Sequence, residues 1–429
     1  MSDDKLYQSY VQILNNELVP ALGCTEPIAI AYAAAKARAV LGTFPDSIEM
    51  CCSGNIIKNV MGVTVPNSGG LRGIDVAATL GVVGGAEDME LEVLEHITQE
   101  HINKTKELVA NGFCQCRLQE GVENLYIVAR VTKGDHYAEV TIINRHTLIT
   151  KIVKDGEILF EHKVSQESPD YVDKSLLNVH DILVFADEVK IDDIREAIGS
   201  QIALNTAISD EGLAGSYGAE VGKTLLEIYG HDVRTRARAR AAAGSDARMG
   251  GCSMPVVINS GSGNQGITVS MPVIEYAKEL GVSEEKLYRA LVVSNLIAIH
   301  QKKYIGSLSA YCGAVSAACG AGAAITYLCQ GTEEEIGLTI TNTIGNVGGI
   351  VCDGAKSSCA AKIASSVEAA ILAHHMAMKH HSFQPGEGIV QENVERTIKS
   401  MGYIGRVGMK STDTEILNIM IDRVDIDEA

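Results

Sequence analysis

Apolar residues along the first part of the chain recur in steps of three and four. Leu6, Tyr7, Tyr10, Ile13 and Leu14 mark one face of a helix, and Pro27 stands in the first turn of a long Ala-rich helical run that reaches Val40. Short apolar pieces near Ile48 and Val63 interrupt this pattern. From Glu87 to about Asp187 the period changes to two: LYIVARV at 125–131 and AEVTIINRHTLITKIV at 138–153 alternate as strands do, and Gly134-Asp135 and Asp155-Gly156 supply the turns. Helical periods rich in Ala and Gly return at Ile191, and Ile416, Leu417, Ile419 and Met420 form a last short element. The pattern predicts an α+β protein. A large Ala/Gly-rich helical domain, 1–86 and 188–429, is discontinuous in sequence and carries an inserted β-containing domain, 87–187.

Composition sharpens this picture. Among 429 residues, aromatics are 4%, Trp is absent and Gly numbers 42, so the core must close by bringing small side chains and backbones together. The formal charge of −18 argues against nucleic acid and anionic membranes as partners. No charge occurs between Lys303 and Glu333, but the stretch is Ala, Gly, Ser and Cys with few Leu or Ile, which predicts a packed helix and not a membrane span. The eleven cysteines are an odd number, and MSDDKLYQSY is acidic where a signal peptide is basic. Both point to a reducing cytoplasm without a disulfide framework.

Several motifs carry candidate chemistry. Gly261, Gly263 and Gly266 spell G-x-G-x-x-G after the strand-like Val256-Val257-Ile258. The nucleotide-binding fingerprint requires a helix at that point, whereas ITVSMP follows, β-branched and closed by Pro272, so the dinucleotide reading is set aside. Ser260, Gly261, Ser262, Gly263, Asn264 and Gln265 instead offer backbone N–H groups and polar side chains to a carboxylate, or form a plain Gly-rich turn. Arg248, between glycines in GSDARMGG, is a candidate bidentate carboxylate ligand. Arg234, Arg236, Arg238 and Arg240 recur at every second position and read as a solvated helix.

The cysteines divide into two kinds. Cys51, Cys52, Cys114, Cys116 and Cys329 read as small buried apolar residues. Cys312, Cys352 and Cys359 lie among glycines and small residues, where an inorganic cluster can approach the backbone. Gly354 breaks any helix between the last two, leaving Cys352 on a loop and Cys359 at the next helix N-terminus. No C-x-x-C pair occurs, so spacing alone leaves a metal site open. Cys24, beside the candidate N-cap Thr25, lies against a helix N-terminus, where thiolate is favoured.

Taken together, GCTEP at 23–27, NIIKNVMGVTVP at 55–66, GSDARMGG at 244–251, SGSGNQG at 260–266, the CGA of Cys312 to Ala314 and CDGAKSSCA at 352–360 resemble the L-cysteine desulfidase family. That family is similar to the α region of bacterial iron-sulfur-dependent L-serine dehydratases, and the resemblance covers nearly the whole chain. It implies a lyase that converts L-cysteine to pyruvate, ammonia and hydrogen sulfide with a 4Fe-4S cluster and no pyridoxal phosphate. The cluster ligands would be Cys312, Cys352 and Cys359, leaving one iron open, and the base would be Cys24. Asn55, Lys58 and Asn59 join the cradle residues as candidates for lining the substrate site. L-serine is the competing substrate. An iron-sulfur sensor and a cluster-free small-molecule binder are the non-enzymatic alternatives, and a homodimer is the default assembly. The inserted domain shows no feature tied to chemistry.

Overall fold

A computed structural model describes residues 4–162, 173–306, 309–424 and 426–428. It is an α+β fold. The chain runs through α1 (Asp4–Glu17), β1 (Pro20–Leu22), α2 (Thr25–Leu41), β2 (Ser47–Cys52), α3 (Gly54–Met61), α4 (Ile74–Gly84) and α5 (Gln99–Ala110). Five strands follow: β3 (Cys114–Leu118), β4 (Tyr126–Lys133), β5 (His136–Ile143), β6 (Ile149–Lys154) and β7 (Glu157–Glu161). The remainder is mostly helical: α6 (Val179–Glu188), α7 (Ile191–Ala214), α8 (Val221–Tyr229), α9 (Val233–Met249), then β8 (Pro255–Val257) and α10 (Gly263–Leu280). It continues with α11 (Glu284–Ile305), α12 (Gly313–Leu328), α13 (Glu333–Val347), α14 (Ser358–Ala377), α15 (Val394–Tyr403) and α16 (Lys410–Met420).

The strands form a mixed sheet in the order β3-β2-β4-β5-β6-β7, parallel only between β2 and β3. Period-two alternation sends Ile127, Ala129 and Val131 of β4 and Ala138, Val140 and Ile142 of β5 to the buried face, against α2. At the far edge, β7 leaves Ile158, Leu159 and Phe160 exposed. Small side chains let helices meet backbone to backbone: a Cβ on Gly81 of α4 would fall 2.2 Å from the Ala31 carbonyl oxygen of α2. Likewise one on Gly320 of α12 would fall 2.3 Å from the Ser294 carbonyl oxygen of α11. Within the uncharged stretch after Lys303, α12 is thus a helix packed among helices. No helix among the described residues is long and apolar enough to cross a membrane.

Two hydrophobic cores organise the chain. The first gathers α1, β1, β8 and helices α6, α7 and α9–α15. The second joins α2, α3 and α4 to the sheet, with Leu417 of α16 docked on it. Helices α2–α4 share the second core with the sheet, because β2 lies inside the sheet and brings its flanking helices along. Residues 163–172 of the expected insert lie outside the described residues.

Three local expectations change. ITVSMP is helical within α10 despite Pro272. The helix is buried on nearly every side, which erases its period, and the Thr268 and Ser270 hydroxyls donate to the carbonyls of Asn264 (2.7 Å) and Gly266 (2.8 Å) in the preceding turn. The dinucleotide reading fails on other grounds, because β8 pairs only with β1, antiparallel, among the described residues. The arginines of α9 are interhelical clamps more than a solvated face: Arg236 pairs with Glu275 (3.1 Å) and Glu279 (2.7 Å), and Arg238 with Glu368 (2.9 Å). Of the five cysteines read as buried, only Cys52 is: Cys116 is exposed and Cys114 half-buried on the edge strand β3, and Cys51 on β2 and Cys329 at the end of α12 are half-buried.

Candidate active site

A cavity of about 750 Å³ lies at the seam between the two cores. The sheet side contributes Glu26, Asn55, Asn59 and His146; the helical side contributes Arg248, Ser260, Gly261, Ser262, Asn264, Gln265, Cys312, Cys352 and Cys359. Cys24 stands between them, packed with Val63, Met249 and Cys359.

Cys24 is itself the N-cap of α2, one residue before the expected Thr25. Its thiol donates to Glu26 Oε2 at 3.3 Å. Burial first, and then the Glu26 carboxylate, push the thiol well above its ordinary range, with Arg248 opposing. The expected thiolate is therefore a thiol here, because desolvation and a neighbouring anion outweigh the helix terminus. Glu26 is a site residue that the sequence reading missed, although it sits in GCTEP. Its Oε2 lies 3.1 Å from the Thr25 hydroxyl and its Oε1 accepts from Asn59 Nδ2 at 3.1 Å. Thr25 Oγ1 also lies 3.0 Å from the Gly261 carbonyl, joining the start of α2 to the cradle.

Arg248 is buried at the end of α9. Its Nε donates to the Gly23 carbonyl (2.8 Å) and its Nη1 to Asn264 Oδ1 (3.1 Å). Gly263 does not line the cavity; it makes room for this fork, since a Cβ there would be 2.4 Å from Arg248 Nε. The loop before α10 is folded tightly, with Ser260 at φ +50° and Gly261 at φ +77°. The N-cap Ser262 makes no side-chain cap, so the first N–H groups of α10 keep no capping partner. Below the loop, Gln201, Asn259 and Asn295 form a buried amide network, with Asn259 Nδ2 donating to Asn295 Oδ1 at 2.9 Å, while the buried Asn205 bonds the Val257 backbone and Ser270. Scattered amides of this kind carry no local pattern in sequence.

The three thiols come from two helix starts and one loop. Cys312 is the N-cap of α12, Cys359 lies in the first turn of α14, and Cys352 follows the isolated Tyr311–Val351 bridge. Burial, and then Cys352, push the Cys312 thiol up to about 12, and Cys359 adds to the effect. Gly354, at φ +95°, brings this loop onto α3: a Cβ there would be 2.3 Å from the Lys58 carbonyl oxygen. Lys58 does not line the cavity. Its buried ammonium pairs with Asp413 of α16 and lies 3.4 Å from the Cys352 carbonyl, so it braces the thiol loop from behind. Lys302, at the cavity wall, is drawn down to about 8 by burial, an effect that Cys352 and Cys312 oppose. Gln265 bridges cradle and thiols, because a Cβ on Gly313 would be 2.6 Å from its amide.

Several residues that line this space carry a buried polar atom without a hydrogen-bond partner: Asn55 Oδ1, Gln265 Oε1, the Tyr311 hydroxyl and His146 Nε2. Among the described residues no three His, Cys, Asp or Glu side chains converge on a point suited to one metal ion. A cubane cluster makes a different demand, since each ligating thiolate binds its own iron and the ligands surround a space. Three thiols around a cavity that also holds unpaired polar groups fit that demand.

Arg248 with the 260–265 loop, the Cys24–Glu26 pair and three thiols thus share one cavity between tightly packed helices and a mixed sheet, in a chain whose family match makes it a lyase of the serine dehydratase type. The model of the serine dehydratase alpha chain family matches residues 88–418, and the chain belongs to that family. It is 53% identical over 417 residues to a UPF0597 protein of Lachnoclostridium phytofermentans, covering 97% of this chain and 100% of the relative. It is 50% identical to a UPF0597 protein of Desulfitobacterium hafniense, with 98% of each chain covered.

Proposed function

We propose that this lyase cleaves L-cysteine to pyruvate, ammonia and hydrogen sulfide by β-elimination, without pyridoxal phosphate and with Cys312, Cys352 and Cys359 holding a 4Fe-4S cluster. One observation carries the reading: the Cys24–Glu26 pair and the Arg248 cradle open into the same cavity as the three thiols. When bound, such a cluster supplies a Lewis-acidic iron to the β-substituent.

The chain's own residues do the rest. Arg248 and the 260–265 loop hold the α-carboxylate, which turns the Cα–H bond toward Cys24. Glu26 receives the Cys24 thiol proton, and the thiolate takes the proton from Cα. The C–H electron pair becomes the Cα–Cβ double bond as the Cβ–S bond breaks, and its electron pair departs with sulfur. The released 2-aminoacrylate tautomerises, and water hydrolyses it to pyruvate and ammonia. With no pyridoxal ring to spread the carbanion, positioning and fixed charge must lower the barrier. A reducing cytoplasm and a homodimer belong to the same reading.

L-serine is the second reading, favoured by the serine dehydratase identity of the matching family. The steps are the same with hydroxide as the leaving group. The test is sulfide and pyruvate release from L-cysteine, with L-serine in parallel, by protein reconstituted anaerobically with iron and sulfide. Equal sulfide and pyruvate are expected; pyruvate from serine alone moves the substrate, and an iron-loaded protein inert on both sinks the elimination chemistry. Cys24→Ser should lower turnover by about 100- to 10,000-fold at unchanged iron content. Near-normal turnover in that variant would remove Cys24 from the role.

A further inference from the structure

The β5–β6 turn brings His146 into the cavity from the sheet side. Its Nε2 is closed off from solvent and has no hydrogen-bond partner. The ring lies against the cradle: a Cβ on Gly261 would stand 3.4 Å from Cε1 and 3.7 Å from Nδ1. Glu26 and Arg248 are the charged groups acting on it. Burial lowers the imidazole's proton affinity; Glu26 opposes this and Arg248 adds to it.

A buried ring nitrogen with no partner gains most from a ligand atom that completes it. The groups around this one identify that atom. Arg248 and the uncapped N–H groups at the start of α10 all donate, so whatever they gather is an anion with several acceptor lone pairs. Against such a ligand, Nε2 can only donate. We propose that His146 is a substrate-binding residue whose Nε2–H donates to the α-carboxylate of the amino acid, so that the sheet unit completes the active site. The assignment rests on the amino-acid lyase reading above and deepens it.

The test compares wild type, His146→Ala and His146→Gln in the full chain, reconstituted anaerobically. Titration calorimetry with L-serine reads binding, steady-state kinetics read KM and kcat, and thermal melts confirm folding. Gln keeps an N–H donor at the reach of Nε2 and has no proton to exchange. His146→Ala should raise Kd and KM about 10- to 100-fold, the range for a hydrogen bond to a charged group, with kcat changed little. His146→Gln should recover most of the loss. L-serine methyl ester, which lacks the anionic carboxylate, should bind wild type and His146→Ala alike.

Unchanged Kd in a folded His146→Ala protein overturns the proposal. So does a loss confined to kcat that Gln does not rescue, which marks acid–base transfer instead of binding. Wild type that binds L-serine but turns over neither amino acid overturns the lyase reading alone, and Kd still decides on His146. Wild type that binds neither L-serine nor L-cysteine overturns both.

Discussion

The two walls of the cavity are built by different means. On the helical wall, functional groups sit where backbones nearly touch: Gly263 clears Arg248, Gly313 clears Gln265, and Gly354 lets the thiol loop lie on Lys58. On the sheet wall, His146 arrives at the tip of a turn, with Asn144 at φ +66° and no glycine beside it. Close approach of backbones restricts residue types over several positions and so leaves a motif. A hairpin tip restricts almost nothing, and its histidine looks like any other loop residue.

The sharpest way to test the difference is to remove a group that only the helical wall supplies. Cys312→Ala should lose iron and lower turnover by about 1,000-fold or more, while the sheet unit's hydrogen exchange stays as it was. Wild-type iron content in that variant would remove Cys312 from the ligand set. Next in size is the cost of filling a close approach. Gly263→Ala places a Cβ 2.4 Å from Arg248 Nε and 2.7 Å from Val256 Cγ2, and should lower kcat/KM about 100-fold with iron content retained. An alanine variant with unchanged kcat/KM would show that the fork does not need its present place.

Acid separates the walls more gently. His374, in the helical core, is drawn down to about 4 by burial and by His375, with Glu335 opposing, and its Nδ1 bonds Thr326 at 2.9 Å. The unfolded chain takes up this proton near pH 6.5, before the folded chain does, so stability is complete above about pH 6.5 and declines as pH falls toward 4. At pH 5 the loss from this group is about 2 kcal/mol. Chemical denaturation at pH 7 and pH 5 should show it in wild type and less of it in His374→Gln; equal losses would assign the acid sensitivity elsewhere. The smallest effect belongs to the sheet edge. Phe160→Ser on β7 should change stability by no more than about 0.5 kcal/mol, and a larger loss in the melt would mean that this edge is covered.

The same contrast decides what could be read in the sequence. The α+β class, the strands at 125–131 and 138–153 and the last helix were legible as periods, because each has one buried face. α10 was not, since burial on nearly every side leaves no polar face to set a period. β2 escaped because a six-residue strand between helices says nothing about its partners, and with it went the place of α2–α4 in the sheet core. In the site, Arg248, the cradle and the cysteines were announced by glycines. Glu26 was visible inside GCTEP but went unread, since its role depends on reaching back to the Cys24 thiol. Lys58 was read only as a candidate for lining the site; its partner Asp413 is 355 residues away, and no local pattern could supply it.

That ion pair has a practical consequence. It fastens α16 to the loop that carries Cys352, and Lys58 is too deeply buried to lose its counter-charge cheaply. A fusion or truncation that frays α16 would then show itself as poor iron loading in a protein whose circular dichroism is nearly normal. Purification tags therefore belong on the amino-terminal side, away from this latch.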